Sequence, residues 1–262
     1  MVNPDEYDLS KRAPRNGLTT AIESTDMRPA TDVDVLADVV FLLDVDNTLL
    51  DNDAVIEDLR GHLGHAFGVE CAQRYWEIFE NIRGELGYAD YLGSLQRYRV
   101  EHPRDPHLLR VSLFLLHYPF TTRVYPGAVD VIAALRLHGR VVILTDGDVV
   151  FQPSKVERSG LWAAVQGNVL IYVHKEQMLD DVERRYPARH YVMVDDKLRI
   201  LAAMKRTWGR RLTTVFVRQG HYAHDPNLSA MQPPADIAID AIGDLVDGLD
   251  VLLGPLGLSG RC

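Results

Sequence analysis

The 262-residue sequence predicts an α/β fold, in which a parallel sheet carries helices on both of its faces. Two observations lead to this prediction. Several runs of strand length are continuously apolar, which is typical of strands buried on both faces. Between them lie segments whose apolar residues recur at helical spacing, and strands that alternate with such helices are joined by crossover connections. In a sheet of this kind, the loops at the carboxyl ends of the strands form the ligand crevice.

The composition is that of an ordinary globular protein, with 47% hydrophobic and 25% charged residues. A formal net charge of −9 argues against a general nucleic-acid-binding surface, because such a surface needs a basic face. Cys71 and Cys262 have no partners at metal-ligand spacing. No apolar run approaches the roughly 20 residues of a membrane span, and no signal peptide is visible. We therefore expect a cytoplasmic protein without membrane contacts.

The first half of the chain divides into three parts. Residues 1–35 are rich in Asp, Thr, Pro and Arg without periodicity, and we expect a flexible or loosely docked extension. Residues 39–43 are the first predicted strand. From about residue 51 to residue 123 the apolar spacing is helical, with breaks at Gly84, Gly87 and residues 102–107.

The second half alternates between the two patterns. A predicted helix ends at Gly139, and others cover residues 154–160, 176–186, 200–208 and 244–253. Predicted strands cover residues 141–145, 169–173, 191–196, 212–218 and 236–239. The predicted sheet therefore has six strands, and most of them end in polar residues.

These polar strand ends predict the chemistry of the crevice. They are Asp44-x-Asp46, Thr145-Asp146-Gly147, Lys175 and Asp195-Asp196. Two carboxylates about 4 Å apart repel by about 4 kcal/mol at an effective dielectric constant near 20, so a cluster of them needs a cation. Oxygen ligands without a His/Cys cluster favour Mg²⁺. The ammonium and hydroxyl groups are then free for phosphate oxygens, beside an aspartate free to attack phosphorus.

At this point the sequence resembles the haloacid dehalogenase superfamily of aspartate-nucleophile phosphohydrolases. The resemblance rests on DVDNT at residues 44–48, LTDGD at residues 144–148, a later lysine, and the DD pair at residues 195–196. It implies a Rossmann-like catalytic core formed by residues 36–54 and 122–262. It also implies an α-helical cap, residues 55–121, which closes over the site and selects the substrate.

The resemblance implies a catalytic role for each matching residue. Asp44 is the nucleophile that forms an aspartyl-phosphate, and it also binds Mg²⁺. Asp46 is the general acid and then the general base, with its backbone carbonyl on the metal. Thr145 and the amide of Gly147 bind the transferring phosphoryl group. Lys175 neutralises charge, and Lys197 is the alternative candidate for this role.

The metal and substrate positions include departures from the family pattern. Asp195, with Asp196, is expected to hold Mg²⁺, although Lys-Leu-Arg follows where a further acidic group is common. Asn47 stands where Gly is most frequent, and Asp146 stands where Asn often follows the Thr. Asn47 and Asp146 join Gly147 as predicted substrate- and phosphate-binding residues.

Candidate substrate contacts outside these motifs lie in the cap and in a later loop. In the cap they are Tyr88, Asp90, Arg97 and Arg99, and in the loop they are Arg218 and His221. For each of them a solvated polar role is favoured over substrate contact.

The resulting prediction is a Mg²⁺-dependent phosphomonoester hydrolase that acts on a small phosphorylated metabolite. Two alternatives stay open: a phosphomutase of the same superfamily, and a catalytically silent domain that binds a ligand or partner. A dehalogenase is disfavoured, because dehalogenases resembling this chain usually lack the second aspartate. A halide leaving group needs no proton, so Asp46 would have no task.

Overall fold

The computed structural model describes residues 37–224 and 232–254, and six parallel strands form its centre. The strands are β1 (Ala37–Leu43), β2 (Arg140–Asp146), β3 (Val169–Tyr172), β4 (Ala188–Asp195), β5 (Leu212–Val217) and β6 (Ile237–Ile239). They lie in the order β3-β2-β1-β4-β5-β6, and each neighbouring pair is parallel. The predicted α/β class is therefore confirmed. The predicted N-terminal extension, residues 1–35, lies outside the described residues.

Four helices follow β1 directly: α1 (Asn52–Phe67), α2 (Val69–Leu86), α3 (Tyr91–Glu101) and α4 (Leu108–His117). The later helices are α5 (Ala128–Arg136), α6 (Phe151–Arg158), α7 (Leu161–Ala164), α8 (Leu179–Arg185), α9 (Leu198–Trp208), α10 (Asp244–Asp247) and α11 (Leu249–Leu253). The last predicted helix is thus two short helices that meet at Gly248. Within the described ranges, no helix combines the length and the apolar character that crossing a membrane requires.

Strand β1 shows why the central strands are continuously apolar. Its side chains alternate between the two faces of the sheet, as in any strand. Phe41 and Leu43 belong to one buried apolar cluster, while Val40 and Leu42 belong to another. Both faces are therefore covered from Val39 to Leu43, and a polar residue would be disfavoured at each of these positions.

The four helices α1–α4 form a cap-like insertion joined to the core by a short antiparallel ribbon. In this ribbon the amide of Asp51 donates to the carbonyl of Arg123 (2.8 Å), and the amide of Tyr125 donates to the carbonyl of Leu49 (2.9 Å). Asp58 on α1 also contacts Arg123. The helical insertion after β1 is confirmed, while its predicted limits at residues 55 and 121 stay a prediction.

Candidate active site

The carboxyl ends of three strands, and the turn after a fourth, bring the predicted residues to one edge of the sheet. Asp44 follows β1, Asp146 ends β2, and Asp195 ends β4. Lys175 follows β3, and its side chain is fully buried between two of these acids. Its Nζ lies 2.6 Å from Asp44 Oδ1 and 2.7 Å from Asp195 Oδ2. The lysine therefore bridges the predicted nucleophile and the predicted metal ligand.

Asp44, Asp195 and Asp196 form a buried carboxylate cluster. One oxygen from each residue lies within 4.8 Å of the others. Within residues 37–224 and 232–254, no hydrogen bond reaches Asp44 Oδ2 or either carboxylate oxygen of Asp196. Buried carboxylates without partners are costly, and hard oxygen donors are the ligands that Mg²⁺ prefers. The three residues thus fit a divalent cation, and they are the ones that would hold it.

The charges around this carboxylate cluster would not balance among the protein groups if every carboxyl group were ionised. The three carboxylates and that of Asp146 would then face the ammonium groups of Lys175 and Lys197, with an excess of two negative charges. Burial disfavours the charged form of both lysines. The surrounding aspartates outweigh this effect and raise the pKa of each lysine above its ordinary value. Both lysines therefore stay protonated, and a divalent cation would cancel the remaining charge.

The carboxyl groups respond differently to the same environment. Burial raises the pKa of Asp44, but Lys175 and Lys197 outweigh it and hold that pKa below its ordinary value. Asp44 is therefore ionised, as a nucleophile must be. Burial raises the pKa of Asp195, and that of Asp196 lies well above its ordinary value. Burial also raises the pKa of Asp146 to about 6.

Asn47 organises the loop that carries Asp46. Its backbone lies in the left-handed region, with φ +60°, which Asn tolerates better than most residues. Its Oδ1 accepts hydrogen bonds from the amides of Asn52 (3.0 Å) and Asp53 (3.2 Å), at the start of α1. Its Nδ2 donates to Asp53 Oδ1 (3.0 Å). The side chain thus satisfies the free end of α1, while its predicted substrate-binding role stays a prediction.

The second motif is held by hydrogen bonds at the end of β2. Thr145 is buried, and its Oγ1 accepts a hydrogen bond from Gln152 Nε2 (3.1 Å). Asp146 Oδ1 accepts from the amide of Lys175 (2.7 Å). The amide of Gly147, which was expected to bind the phosphoryl group, donates to the carbonyl of Tyr172 (2.9 Å). That amide is therefore engaged within the protein in this structure.

A cavity of about 470 Å³ opens between the core and the insertion. From the core its lining includes Asp46, Asn47, Asp146, Gly147, Lys155, Lys197 and His221, and from the insertion Ile56, Arg60, Trp76, Arg83, Tyr88 and Tyr91. Asp44 is only 2% exposed and is not part of this lining. Among small-molecule sites this volume is of ordinary size.

The other sequence candidates are placed unevenly around this cavity. Tyr88 and His221 line it. Asp90 instead accepts a hydrogen bond from the amide of Gly93 (2.6 Å) at the start of α3, and Arg218 pairs with Asp240 (2.7 Å). Arg97 and Arg99 are exposed and lie outside the lining.

Lys155, which was not among the residues predicted from the sequence, contacts the predicted general acid. Its Nζ donates to Asp46 Oδ1 (2.7 Å) and to Asn52 Oδ1 (2.9 Å), and its side chain is 1% exposed. A signal was present, because the buried residues of α6 are Phe151, Gln152, Lys155 and Val156, which share one helix face. A lysine on the buried face of a helix is a candidate for a paired, functional charge.

Comparison with solved structures gives matches at very different levels of sequence identity. A haloacid dehalogenase-like hydrolase from Burkholderia xenovorans LB400 is 65% identical, with a TM-score of 0.77, over 80% of this chain and 98% of that chain. An L-2-haloacid dehalogenase from Xanthobacter autotrophicus, with chloropropionic acid covalently bound, is 17% identical (TM-score 0.53, 80% of this chain and 97% of that one). A HAD hydrolase from Bacillus subtilis bound to magnesium is 16% identical (TM-score 0.54, 82% and 98%). The two distant similarities show the fold alone.

Comparison of the sequence with protein families gives a match over most of the described core. A separate comparison with curated proteins finds no match. The family model described as haloacid dehalogenase-like hydrolase matches residues 39–206, which is well over half of the chain and includes every predicted catalytic residue. The chain therefore belongs to the haloacid dehalogenase-like hydrolase family.

Proposed function

We propose that this hydrolase is a Mg²⁺-dependent phosphomonoesterase that acts on a small phosphorylated metabolite through an aspartyl-phosphate at Asp44. The observation that carries the proposal is the buried carboxylate cluster of Asp44, Asp195 and Asp196, in which the unpartnered oxygens of Asp44 and Asp196 fit a divalent cation. Such a cation suits hydrolysis of a phosphate ester, because the reacting phosphoryl group is itself anionic.

The residues support a two-step reaction. In the first step an oxygen of Asp44 attacks phosphorus, the bond from phosphorus to the leaving oxygen breaks, and Asp46 gives that oxygen a proton. In the second step Asp46 takes a proton from water, the water oxygen attacks phosphorus, and inorganic phosphate leaves Asp44. Lys175, 2.6 Å from Asp44, offsets charge on the nucleophile. Mg²⁺ bound at the carboxylate cluster would offset charge on the phosphoryl oxygens.

Dehalogenation of a 2-haloacid is the competing activity, because one distant structural relative is an L-2-haloacid dehalogenase. One feature of the crevice disfavours it here. Asp46 lines the cavity, and it would have no leaving group to protonate, because halide leaves as an anion.

The test is hydrolysis of p-nitrophenyl phosphate by the native chain and by Asp44→Asn, with Mg²⁺ and with EDTA. We expect inorganic phosphate only from the native chain with Mg²⁺, and a loss of at least about a thousandfold in Asp44→Asn, since the nucleophile is removed. Halide release from 2-chloropropionate is measured in parallel. Release of halide without phosphate would show a dehalogenase. If neither halide nor phosphate is released, the result would favour the catalytically silent alternative.

A phosphomutase would form the same intermediate, so the fate of the phosphoryl group distinguishes it. For a phosphatase, we expect the intermediate to release phosphate in water alone, without a second hydroxyl compound, at a rate that matches turnover. Release that is slow in water and accelerated by a second hydroxyl compound, with transfer of the phosphoryl group to it, would instead show the mutase.

A further inference from the structure

The ammonium group of Lys155 is held on one side of Asp46 by three contacts. Asp46 Oδ1 and Asn52 Oδ1 accept its hydrogen bonds, and the ring of Phe151 lies 5.4 Å from Nζ. The three partners come from the loop after β1, the first turn of α1, and α6 itself. The lysine therefore connects the predicted general acid to both the insertion and the core.

Burial of this ammonium group is hard to explain by stability alone. Moving a lysine charge out of water costs several kcal/mol, and a pair with one carboxylate does not reliably repay that cost. The side chain of Asp46 is 23% exposed, so a cationic residue at the surface could pair with it. The side chain of Lys155 is instead 1% exposed. The arrangement instead leaves one oxygen of Asp46 open. Among the described residues, no hydrogen bond reaches Asp46 Oδ2, and Asp46 lines the cavity.

We propose that Lys155 is a positioning residue for general acid–base catalysis. It holds Asp46 through Oδ1, so that Oδ2 faces the leaving group of the substrate. This inference rests on the proposed function, because it needs Asp46 to act as the general acid. When the bond from phosphorus to oxygen breaks, the proton moves from Asp46 to the leaving oxygen. The ammonium group of Lys155 then stabilises the carboxylate that remains.

The inference predicts a dependence on the leaving group that simple structural damage would not produce. A leaving group such as p-nitrophenolate is stable as an anion and needs little protonation, whereas an alkoxide or unsubstituted phenolate needs the proton. Loss of a well-placed general acid therefore matters most for poor leaving groups. The experiment measures kcat/KM with Mg²⁺ for substituted phenyl phosphates of graded leaving-group acidity, and for glycerol 2-phosphate.

For Lys155→Met we expect a loss of about threefold or less with p-nitrophenyl phosphate. With phenyl phosphate and glycerol 2-phosphate we expect a loss on the order of thirty- to a hundredfold. Lys155→Gln, which keeps polarity, is expected to show the same trend with smaller losses, and it serves if the Met variant does not fold. In Asp46→Asn the proton donor is already absent, so adding Lys155→Met is expected to steepen the dependence no further.

The matched control is Lys205→Met on α9. Lys205 also forms a close ion pair, with Asp236 at 2.7 Å, but it is not part of the cavity lining. We expect it to lower thermal stability without changing the dependence on the leaving group. A uniform loss across the series in both Lys155 variants, or no loss at all, would overturn the inference while leaving the proposed function intact. A native chain inactive toward every phosphate ester would overturn both.

Discussion

At the scale of single residues, Asp196 is the carboxyl group of the site whose favoured charge state depends most on a bound cation. It is fully buried, neither of its oxygens accepts a hydrogen bond within the described part of the chain, and burial raises its pKa well above the ordinary value. Its ionised form is unfavourable in the metal-free protein and favourable beside a cation. Removing its charge must therefore have opposite effects in the two states.

We expect Asp196→Asn to raise the free energy of unfolding by about 1–3 kcal/mol in EDTA, because a buried carboxyl without partners is removed. The native chain is expected to gain about 2–3 kcal/mol from Mg²⁺ at about a hundred times its dissociation constant, and the variant to gain little. Urea unfolding with and without Mg²⁺ measures both. The control is Asp240→Asn, at an exposed position. If Mg²⁺ raises the free energy of unfolding equally in the native chain and in Asp196→Asn, then Asp196 is not a ligand of the metal.

Asp146 gives the site a dependence on pH. Its pKa is raised by burial to about 6, from an ordinary value of 3.8. Between these two pH values the folded chain keeps a proton that the unfolded chain releases, so this group lowers stability as the pH rises through that window. Above about pH 6 the loss is complete and constant.

Asp146→Asn should remove this loss, while its side-chain oxygen can still accept from the amide of Lys175. We expect the variant and the native chain to differ little in free energy of unfolding near pH 4, and the variant to be more stable by about 1–3 kcal/mol at pH 7.5 in EDTA. Denaturant unfolding at both pH values tests this expectation. A difference that does not change with pH would show that Asp146 titrates normally.

At the scale of elements, the loop between β1 and α1 depends on close packing against Gly220. This glycine has φ +68°, and a Cβ placed there would lie 2.5 Å from the side chain of Asn47. Asn47 in turn holds the first amides of α1, so the loop, the helix and the segment after β5 form one unit. A disturbance at Gly220 should therefore reach Asp46, one residue before Asn47.

We expect Gly220→Ala to lower the free energy of unfolding by about 2–4 kcal/mol and to reduce the proposed phosphatase activity. The matched control is Gly160→Ala, because Gly160 has a similar φ of +83° but no atom within 4 Å of the added Cβ. It should lose only about 1 kcal/mol, from backbone strain, and keep its activity. Similar losses in stability and activity in both variants would contradict the role given to the packing against Asn47.

The elements also show what the sequence can predict. Strands such as β1 were predictable, because burial on both faces requires an unbroken apolar run, and the polar residues after them mark the site. Lys155 was less accessible, because its partners Asp46 and Asn52 lie more than a hundred positions away in the sequence. The hydrogen bonds of Asn47 were equally unpredictable, because they depend on a left-handed backbone conformation that the sequence does not specify.

At the scale of the whole molecule, the insertion and the core together form the crevice. The core supplies the carboxylate cluster and its lysines, while α1, α2 and the turn before α3 supply much of the cavity wall. A short ribbon, in which residues 49–51 pair with residues 123–125, connects them. The chemistry is thus set by the strand ends and the shape of the substrate space by the helices. An experiment that tests the proposed reaction must therefore use the full chain, because the core and the insertion both form the crevice.

The most direct measurement is acid quenching of the full chain during turnover of a phosphate ester, followed by mass spectrometry of its peptides. We predict one phosphoryl group on the peptide that contains Asp44, present with Mg²⁺ and absent with EDTA or in Asp44→Asn. Turnover with Mg²⁺ that leaves Asp44 unmodified, or a phosphoryl group found on another residue, would contradict the account.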